Sequence, residues 1–284
     1  MKSKYIIVTP VKNEIKYFPL TVDSMLKQSI LPIKWIIVND GSSDGTEKII
    51  QKLGQNYEWI EVINLEDKEK RKPGGEYVAS FGINRVDFDN IDFFVRMDGD
   101  LQFDQDYFLN IFFEFERNPK LGIASGVCYV NENGKWVEEK TPRFHTRAIK
   151  TYRVACYKSI GGVETYLGFD TIDEIKANML GWETRSLTNL KINHLKKTQS
   201  SQGTKAYLNV GIAAYNAAYH PVYVLALAIH KLFNKPYLKG SLTLLWGFFS
   251  GYIYKIPRNI SDDYKAYIRK QQINRLLGRD TIWK

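Results

Sequence analysis

The sequence predicts an α/β fold in which a mostly parallel sheet is flanked by helices and followed by an apolar and amphipathic helical region at the C-terminus. Short β-rich apolar runs alternate with segments whose apolar residues recur at helical spacing, and the connections between them are short. Hydrophobic residues make up 44% and charged residues 25% of the chain, which is typical of a folded protein. The 284 residues suffice for one large domain or for a domain with an appendage.

The N-terminal part of the chain alternates between strand-like and helix-like segments. Continuous runs of β-branched, aromatic and other apolar residues predict buried strands at residues 5–9, 35–38, 59–63 and 92–97. Apolar residues at helical spacing predict helices within residues 15–26, 49–53, 76–86 and 108–115. Strands that alternate with helices pair in parallel, so we expect a sheet covered by helices on both faces.

The following segment continues this pattern less regularly. Residues 122–130 predict a further strand, and residues 141–160 form a basic segment of mixed character. A helix is expected to begin near Gly168 and to end at Gly181. These elements complete a predicted domain of residues 1–205.

The composition changes near Asn209. Residues 208–233 and 241–254 are apolar and aromatic, and residues 255–279 are basic with aromatic and aliphatic residues between the charges. The second apolar run has about 14 residues, whereas a helix that spans a membrane needs roughly 20. We therefore predict a separate helical region of residues 206–284. Two arrangements remain open, a helix pair lying in a membrane surface and a helical hairpin buried against the preceding domain.

The charge and the cysteine content restrict the partners and the compartment. Forty Lys and Arg residues against 31 Asp and Glu residues give a formal charge of +9, so we expect an anionic partner such as a phosphorylated substrate or anionic lipid. The basic residues follow no recognisable nucleic-acid-binding module, which argues against a nucleic-acid partner. Cys128 and Cys156 lie among apolar residues, and the N-terminus lacks the pattern of a cleavable signal peptide. These features favour the cytosol.

The most informative stretch is Asp98-Gly99-Asp100, directly after the apolar run of residues 93–97. Ligands of open α/β sheets bind where the strands end, and two carboxylates at that position suit a divalent cation such as Mg²⁺ or Mn²⁺. Such a cation can hold a diphosphate at the same time. The alternative is an acidic turn, because Asp and Gly are common turn residues.

Three further polar loops follow strands that are expected to end at the same edge of the sheet. The four loops together are Pro10-Val11-Lys12-Asn13-Glu14, Asn39-Asp40-Gly41-Ser42-Ser43-Asp44-Gly45-Thr46, Lys72-Pro73-Gly74-Gly75 and Asp98-Gly99-Asp100. In order and content they resemble the loops of family 2 glycosyltransferases with the Rossmann-like GT-A fold. The resemblance covers about residues 5–195.

The resemblance implies roles for individual residues. Asp40 would accept a hydrogen bond from the nucleotide base, and Glu14 with the backbone of Pro10 would line the nucleoside pocket. The alternative for Asp40 and Asp44 is helix capping, which we expect to be the whole role of Asp44. The remaining implied positions are Lys72, Gly74 and Gly75 along the nucleotide and diphosphate, Asp98 at the ribose or metal, Asp100 at the metal, and His194 near the diphosphate. For His194 the alternative is a structural role.

The implied reaction moves a sugar from a nucleotide diphosphate-sugar, most often a UDP-sugar, to an acceptor hydroxyl with inversion. A carboxylate must then take the proton of that hydroxyl. In the family this base lies at the head of a late helix, where this chain has residues 168–174 but departs from the usual adjacent Glu-Asp pair. Asp170 is our first candidate, and Asp173, one helical turn later, is the second. Alternatively, Asp170 caps the helix and Asp173 is a solvated acid of its first turn.

The acceptor is expected to be a glycan or a lipid-linked intermediate of surface polysaccharide synthesis, at the cytoplasmic face of the cell membrane. One alternative is a sugar nucleotidyltransferase, which should carry a Gly-rich basic loop directly after the first strand, where this chain has Pro10-Val11-Lys12-Asn13-Glu14. Another alternative is a membrane scaffold that binds the nucleotide-sugar without catalysis.

Overall fold

The computed structural model describes residues 3–65, 75–196, 203–233 and 235–283. The chain divides into two compact units. The first unit contains Met1–Thr165 and Leu180–Lys197, and the second contains Tyr166–Met179 and Thr198–Lys284. The helix expected after Gly168 therefore groups with the C-terminal helices, and the division into residues 1–205 and 206–284 stays a prediction.

The first unit contains a sheet of nine strands in the described residues. Its elements are β1 (Tyr5–Val11), α1 (Phe18–Leu26), β2 (Lys34–Asn39), α2 (Thr46–Asn56), β3 (Ile60–Asn64), α3 (Gly75–Ile83), β4 (Phe93–Met97), β5 (Leu101–Phe103), α4 (Tyr107–Arg117), β6 (Leu121–Glu132), β7 (Lys135–Glu138), β8 (Ile149–Arg153), α5 (Val154–Ser159) and β9 (Glu183–His194). The strand order is β3-β2-β1-β4-β8-β6-β9-β5, with β7 paired to β6.

The α/β prediction is confirmed, and β3, β2, β1 and β4 pair in parallel as expected. The other half of the sheet is mixed, because β8 is antiparallel to β4 and β6, and β5 is antiparallel to β9. Four strands, β5, β7, β8 and β9, were not predicted from the sequence. They matter for the site, since β9 carries His194 at its end.

Both faces of the parallel half are covered, which explains the unbroken apolar runs of its strands. One face packs against α1, α2 and α4 in a single core that includes Tyr5, Trp35 and Phe108. On the other face α3 lies so close that a Cβ at Gly82 would stand 2.7 Å from Val8 and 2.9 Å from Val38. The strands are therefore held from both sides, and their ends form a rigid edge.

The second unit is helical. Its elements are α6 (Phe169–Met179), α7 (Thr204–Asn216), α8 (Pro221–Lys231), α9 (Leu238–Ile253) and α10 (Asp262–Leu276). Helices α7 and α9 cross where Gly211 meets Gly247, and the absence of side chains there lets the two backbones approach. One core joins α7, α8 and α9, and another joins α6 and α10. Within the described residues, each helix is too short or too polar to cross a membrane.

Candidate functional site

The carboxyl ends of β1, β2 and β4 meet at one edge of the first unit. Val11 is in register with Asn39, and Val8 with Arg96, so the loops that follow these strands start side by side. This is the edge at which open α/β sheets bind ligands. Pro10 lies in β1 opposite Val38, immediately before the first of these loops.

The loops after β1 and β2 are tied to each other by hydrogen bonds. The backbone N–H of Asn13 donates to Ser42 Oγ (3.0 Å), and Asn13 Oδ1 accepts from the N–H of Ser43 (2.8 Å). Asp44 accepts from the N–H of Ile15 (3.0 Å) and from Thr46 Oγ1 (2.6 Å). Asp44 thus ties the loop after β2 to the loop after β1.

Asp40 lies at the mouth of this pair of loops. Its N–H donates to Val11 O (2.9 Å), which fixes the backbone beside the end of β1. Its carboxylate forms an ion pair with Lys12, with Nζ and Oδ2 2.7 Å apart. Lys12 is half exposed and on a flexible stem, so it can move aside for a ligand that binds Asp40.

Glu14 is paired with Lys196, with Oε1 and Nζ 2.5 Å apart. Burial raises the pKa of Glu14, although the ammonium of Lys196 partly offsets this. The hydrogen bond to Glu14 in turn raises the pKa of Lys196. Lys196 follows His194 in the segment after β9, so this pair joins that segment to the loop after β1.

Asp98, Asp100 and His194 form a cluster whose possible ligand atoms all lie within 4.8 Å of one another. The two aspartates follow β4, and His194 is brought to them because Leu101 of β5 is in register with His194 of β9. The Nε2 of His194 is 3.3 Å from Asp100 Oδ2. The Nδ1 of His194 is buried and lacks a hydrogen-bond partner among the described residues.

This donor set fits a divalent cation. Two carboxylates and one imidazole offer oxygen and nitrogen ligands of the kind that Mn²⁺ accepts, and carboxylates alone suit Mg²⁺. Burial opposes protonation of His194, but the hydrogen bond to Asp100 together with the negative charges of Asp100 and Asp98 outweighs burial and raises the pKa of His194.

Arg96 and Glu76 also belong to this site, and the sequence analysis missed both. Arg96 forms an ion pair with Asp98 through Nη1 and another with Glu76 through Nε, at 3.0 Å from Oε2. Burial opposes the charge of Arg96, yet the two carboxylates outweigh it and raise the pKa of Arg96. Gly75 begins α3 beside this group, and a Cβ there would lie 3.3 Å from Arg96 Nη2.

Thr21 is a third residue of the site that did not stand out in the sequence. It is buried on α1, and its Oγ1 accepts from the N–H of Leu101 (2.8 Å) and donates to Gly99 O (2.9 Å). These bonds fix the turn that carries Asp98 and Asp100. In the sequence, the only sign of Thr21 is a polar residue on an apolar helix face.

The remaining predicted site residues belong to the second unit or lie outside the described residues. Asp170 is partly exposed in the first turn of α6, while Asp173 is 1% exposed and accepts from the N–H of Glu174 (2.7 Å). The alternative in which Asp173 is a solvated acid is therefore wrong. Lys72 and Gly74 lie outside the described residues.

The sequence matches the family model described as Glycosyl transferase family 2 over residues 6–170, which is more than half of the chain. A relative from Staphylococcus aureus strain COL, named poly-beta-1,6-N-acetyl-D-glucosamine synthase, is 30% identical over 114 residues. The protein of that name from Staphylococcus epidermidis is 29% identical over 114 residues. Each match covers 40% of this chain and 26% of the relative, so the chain spans about a quarter of these proteins.

Two solved structures share the fold. The complex of S. aureus TarS 1-349 with UDP-GlcNAc has a TM-score of 0.55 at 17% identity, covering 89% of this chain and 76% of that one. The mannosyltransferase PcManGT from Pyrobaculum calidifontis, in complex with GDP-Man and Mn²⁺, has a TM-score of 0.57 at 14% identity, covering 99% and 89%. At these identities the likeness establishes the GT-A fold.

Proposed function

Because the chain belongs to glycosyl transferase family 2, we propose that it transfers a sugar, with inversion, from a nucleotide diphosphate-sugar to an acceptor hydroxyl. The observation that carries this proposal is the cluster of Asp98, Asp100 and His194 at the sheet edge that also holds Asp40. A cation ligand set beside a nucleoside pocket is what the departure of a nucleotide diphosphate requires.

The loops after β1 and β2 would bind the nucleoside. Asp40 accepts a hydrogen bond from the base once Lys12 moves aside, and Glu14 with the Pro10 backbone lines the pocket. Lys196 is held by Glu14 next to the cluster and brings a positive charge that suits a phosphate. Lys72, Gly74 and Gly75 are proposed to follow the nucleotide and diphosphate.

Asp98, Asp100 and His194 would hold Mn²⁺ or Mg²⁺. When bound, the cation neutralises negative charge that develops on the leaving diphosphate. The chain itself places the two carboxylates in the turn between β4 and β5 and the imidazole at the end of β9, and Thr21 fixes that turn. Asp170 is proposed as the base that takes the proton of the acceptor hydroxyl, since Asp173 is buried.

For the donor, UDP-sugars are our first choice and GDP-sugars the second. TarS is complexed with UDP-GlcNAc and the P. calidifontis enzyme with GDP-Man, so the fold accepts both bases. The relatives from Staphylococcus are named as synthases of a polysaccharide. We propose a glycan or lipid-linked acceptor in surface polysaccharide synthesis, used at the cytoplasmic face of the membrane.

A thermal-shift panel tests the donor site first. The melting temperature of the full chain is measured with UDP-, GDP- and dTDP-sugars, each with and without Mn²⁺, and is repeated for Asp100→Ala. Binding to the native state raises the melting temperature by mass action. We expect a Mn²⁺-dependent rise with one base that is lost in Asp100→Ala and kept in the control Asp23→Ala, whose carboxylate lies on the exposed side of α1.

The same panel can contradict the proposal. If none of the nucleotides raises the melting temperature, the chain does not bind a donor. If a donor binds but its sugar is never released or transferred in the presence of Mn²⁺ and glycan acceptors, the non-catalytic scaffold is the better description.

A further inference from the structure

Helix α9 is apolar on two opposite faces. One face is buried in the second unit and includes Gly240, Leu244, Gly247 and Phe248. The other face is exposed. We call it the α9 stripe, and it consists of Leu238, Leu242, Trp246, Phe249 and Ile253. The spacing of four, four, three and four residues places these side chains in one row along the helix.

The segments at both ends of α9 extend this exposed apolar surface. Phe233 is 81% exposed, and Tyr237 and Tyr254 are exposed as well. In comparison, Trp246 in the middle of the stripe is 54% exposed. Exposing a row of aromatic and aliphatic side chains to water is unfavourable in free energy. Such a row marks a surface at which a partner binds.

The charges around the stripe are of one sign. Residues 203–261 contain six Lys and Arg residues and no Asp or Glu. Lys235 and Lys239 lie at the start of α9 and Lys255 follows its end, and all three are exposed. The stripe is therefore flanked by positive charge at both ends.

These observations favour an anionic bilayer as the partner. Tyrosine and tryptophan prefer the headgroup level of a membrane, and flanking lysines are attracted to anionic lipid. A second copy of the chain would bring like charges together at the same surface. With 16 residues α9 is about 24 Å long, shorter than a spanning helix requires, so it would lie along the surface.

We propose that the α9 stripe binds the surface of a bilayer that contains anionic lipid, with α9 lying in the headgroup region. This deepens the proposed function, because it rests on the membrane location suggested there and assigns that location to named side chains. Docking and donor binding use different residues, so each can fail without the other.

Flotation of the full chain with vesicles tests the proposal. We expect the protein to float with phosphatidylcholine vesicles that contain about 30% phosphatidylglycerol and to stay at the bottom with phosphatidylcholine alone. The double variant Leu242→Ser/Trp246→Ser should lower the partition coefficient by roughly ten-fold or more. Phe113→Ser, which removes an exposed aromatic side chain of α4, should have no effect.

Two double variants with reversed charges test whether binding requires the lysines beside the stripe. Lys239→Glu/Lys255→Glu should weaken binding about five-fold or more for each lysine, whereas Lys52→Glu/Lys120→Glu carries the same change in net charge and should bind as the unaltered chain does. In every variant the donor-induced rise in melting temperature should persist, which shows that the fold and the donor site are intact.

Two results would overturn the proposal. One is a chain that binds donor but does not float with anionic vesicles. The other is a dimer of the unaltered chain, detected by light scattering, that is absent in the Leu242→Ser/Trp246→Ser variant. The stripe would then be covered by a second copy of the chain. If flotation succeeds while donor binding fails, the docking surface stands and the proposed function falls.

Discussion

Arg96 forms a partly buried ion pair with Asp98, one of the two acidic residues that follow β4. The same guanidinium also holds Glu76 of α3, which is 4% exposed. Arg96 thus joins the first turn of α3 to a candidate metal ligand. Because Asp98 is shared between Arg96 and the proposed cation, Arg96 acts as a positioning residue for that carboxylate.

Removing Arg96 should destabilise the protein strongly. Arg96→Gln leaves Glu76 buried without its cation, and the loss of one partner of a buried pair costs about 3–5 kcal/mol. Urea unfolding followed by circular dichroism measures this cost. Arg85→Gln is the matched control, because its pair with Glu61 is long (3.4 Å) and exposed, and it should change stability by at most about 1 kcal/mol.

A small loss of stability in Arg96→Gln would show that Glu76 becomes neutral on folding and needs no cation. Burial already raises the pKa of Glu76, so that outcome would appear as a variant whose stability falls as the pH rises above the usual range of a glutamate. If Arg96→Gln lowers the stability only slightly and that stability does not change with pH, Glu76 is neither a charged partner of Arg96 nor a neutral buried acid. Both descriptions of the pair would then be contradicted.

The parts of the candidate site that depend on local patterns could be predicted from the sequence. The apolar run of β4 ends at Asp98, and a strand end in a parallel sheet is a general place for ligands, so Asp98 and Asp100 could be identified from their position alone. Arg96 and Glu76 could not. They are 20 residues apart in the sequence, and their pairing depends on how α3 packs on the sheet.

The strand β9 was missed for a different reason. Its pairing with β6 shifts register between Gly126 and Val127, and such a bulge breaks the alternation by which a strand is recognised. A Cβ at Gly126 would clash with Leu190 O (2.5 Å), so the bulge depends on a glycine of another strand. As a result, the proximity of His194 to Asp100 could be suggested only by the family resemblance.

The close crossing of α7 and α9 should not tolerate a side chain. A Cβ at Gly247 would overlap Leu208 O of α7, so Gly247→Ala must separate the helices, at a cost of about 1–3 kcal/mol. Alanine in a helix gains only about 1 kcal/mol over glycine, so we expect net destabilisation in urea. Thr243→Ala on the same helix should stay within about 0.5 kcal/mol. A Gly247→Ala variant more stable than the unaltered chain would rule out this crossing.

Cys128 should resist ionisation and alkylation in the native state. Burial raises its pKa from 9.0 to about 12. Since the native pKa is the higher one, the stabilising contribution of Cys128 is complete below about pH 9 and is lost as the pH rises towards 12, by up to about 1.4 kcal/mol per pH unit. Urea titrations between pH 8 and 10 should show this slope, and Cys128→Ala should reduce it. Rapid reaction of Cys128 with iodoacetamide under native conditions would contradict the burial.

Substitutions of the two candidate bases of α6 should have different effects on the catalytic rate and on stability. Asp170 is partly exposed, so Asp170→Asn should leave the donor-induced thermal shift intact while lowering kcat by about 10²–10⁴-fold, the usual share of a general base. Asp173 is buried and hydrogen-bonded to the N–H of Glu174, so Asp173→Asn should lower stability by about 1–3 kcal/mol. Asp263→Asn, an acid in the first turn of α10, is the control and should change neither quantity. Asp170→Glu should recover part of the lost rate.

If Asp173→Asn instead abolishes turnover at unchanged stability while Asp170→Asn stays active, the assignment must be reversed. Asp173 would then have to reach the acceptor through a conformational change of α6.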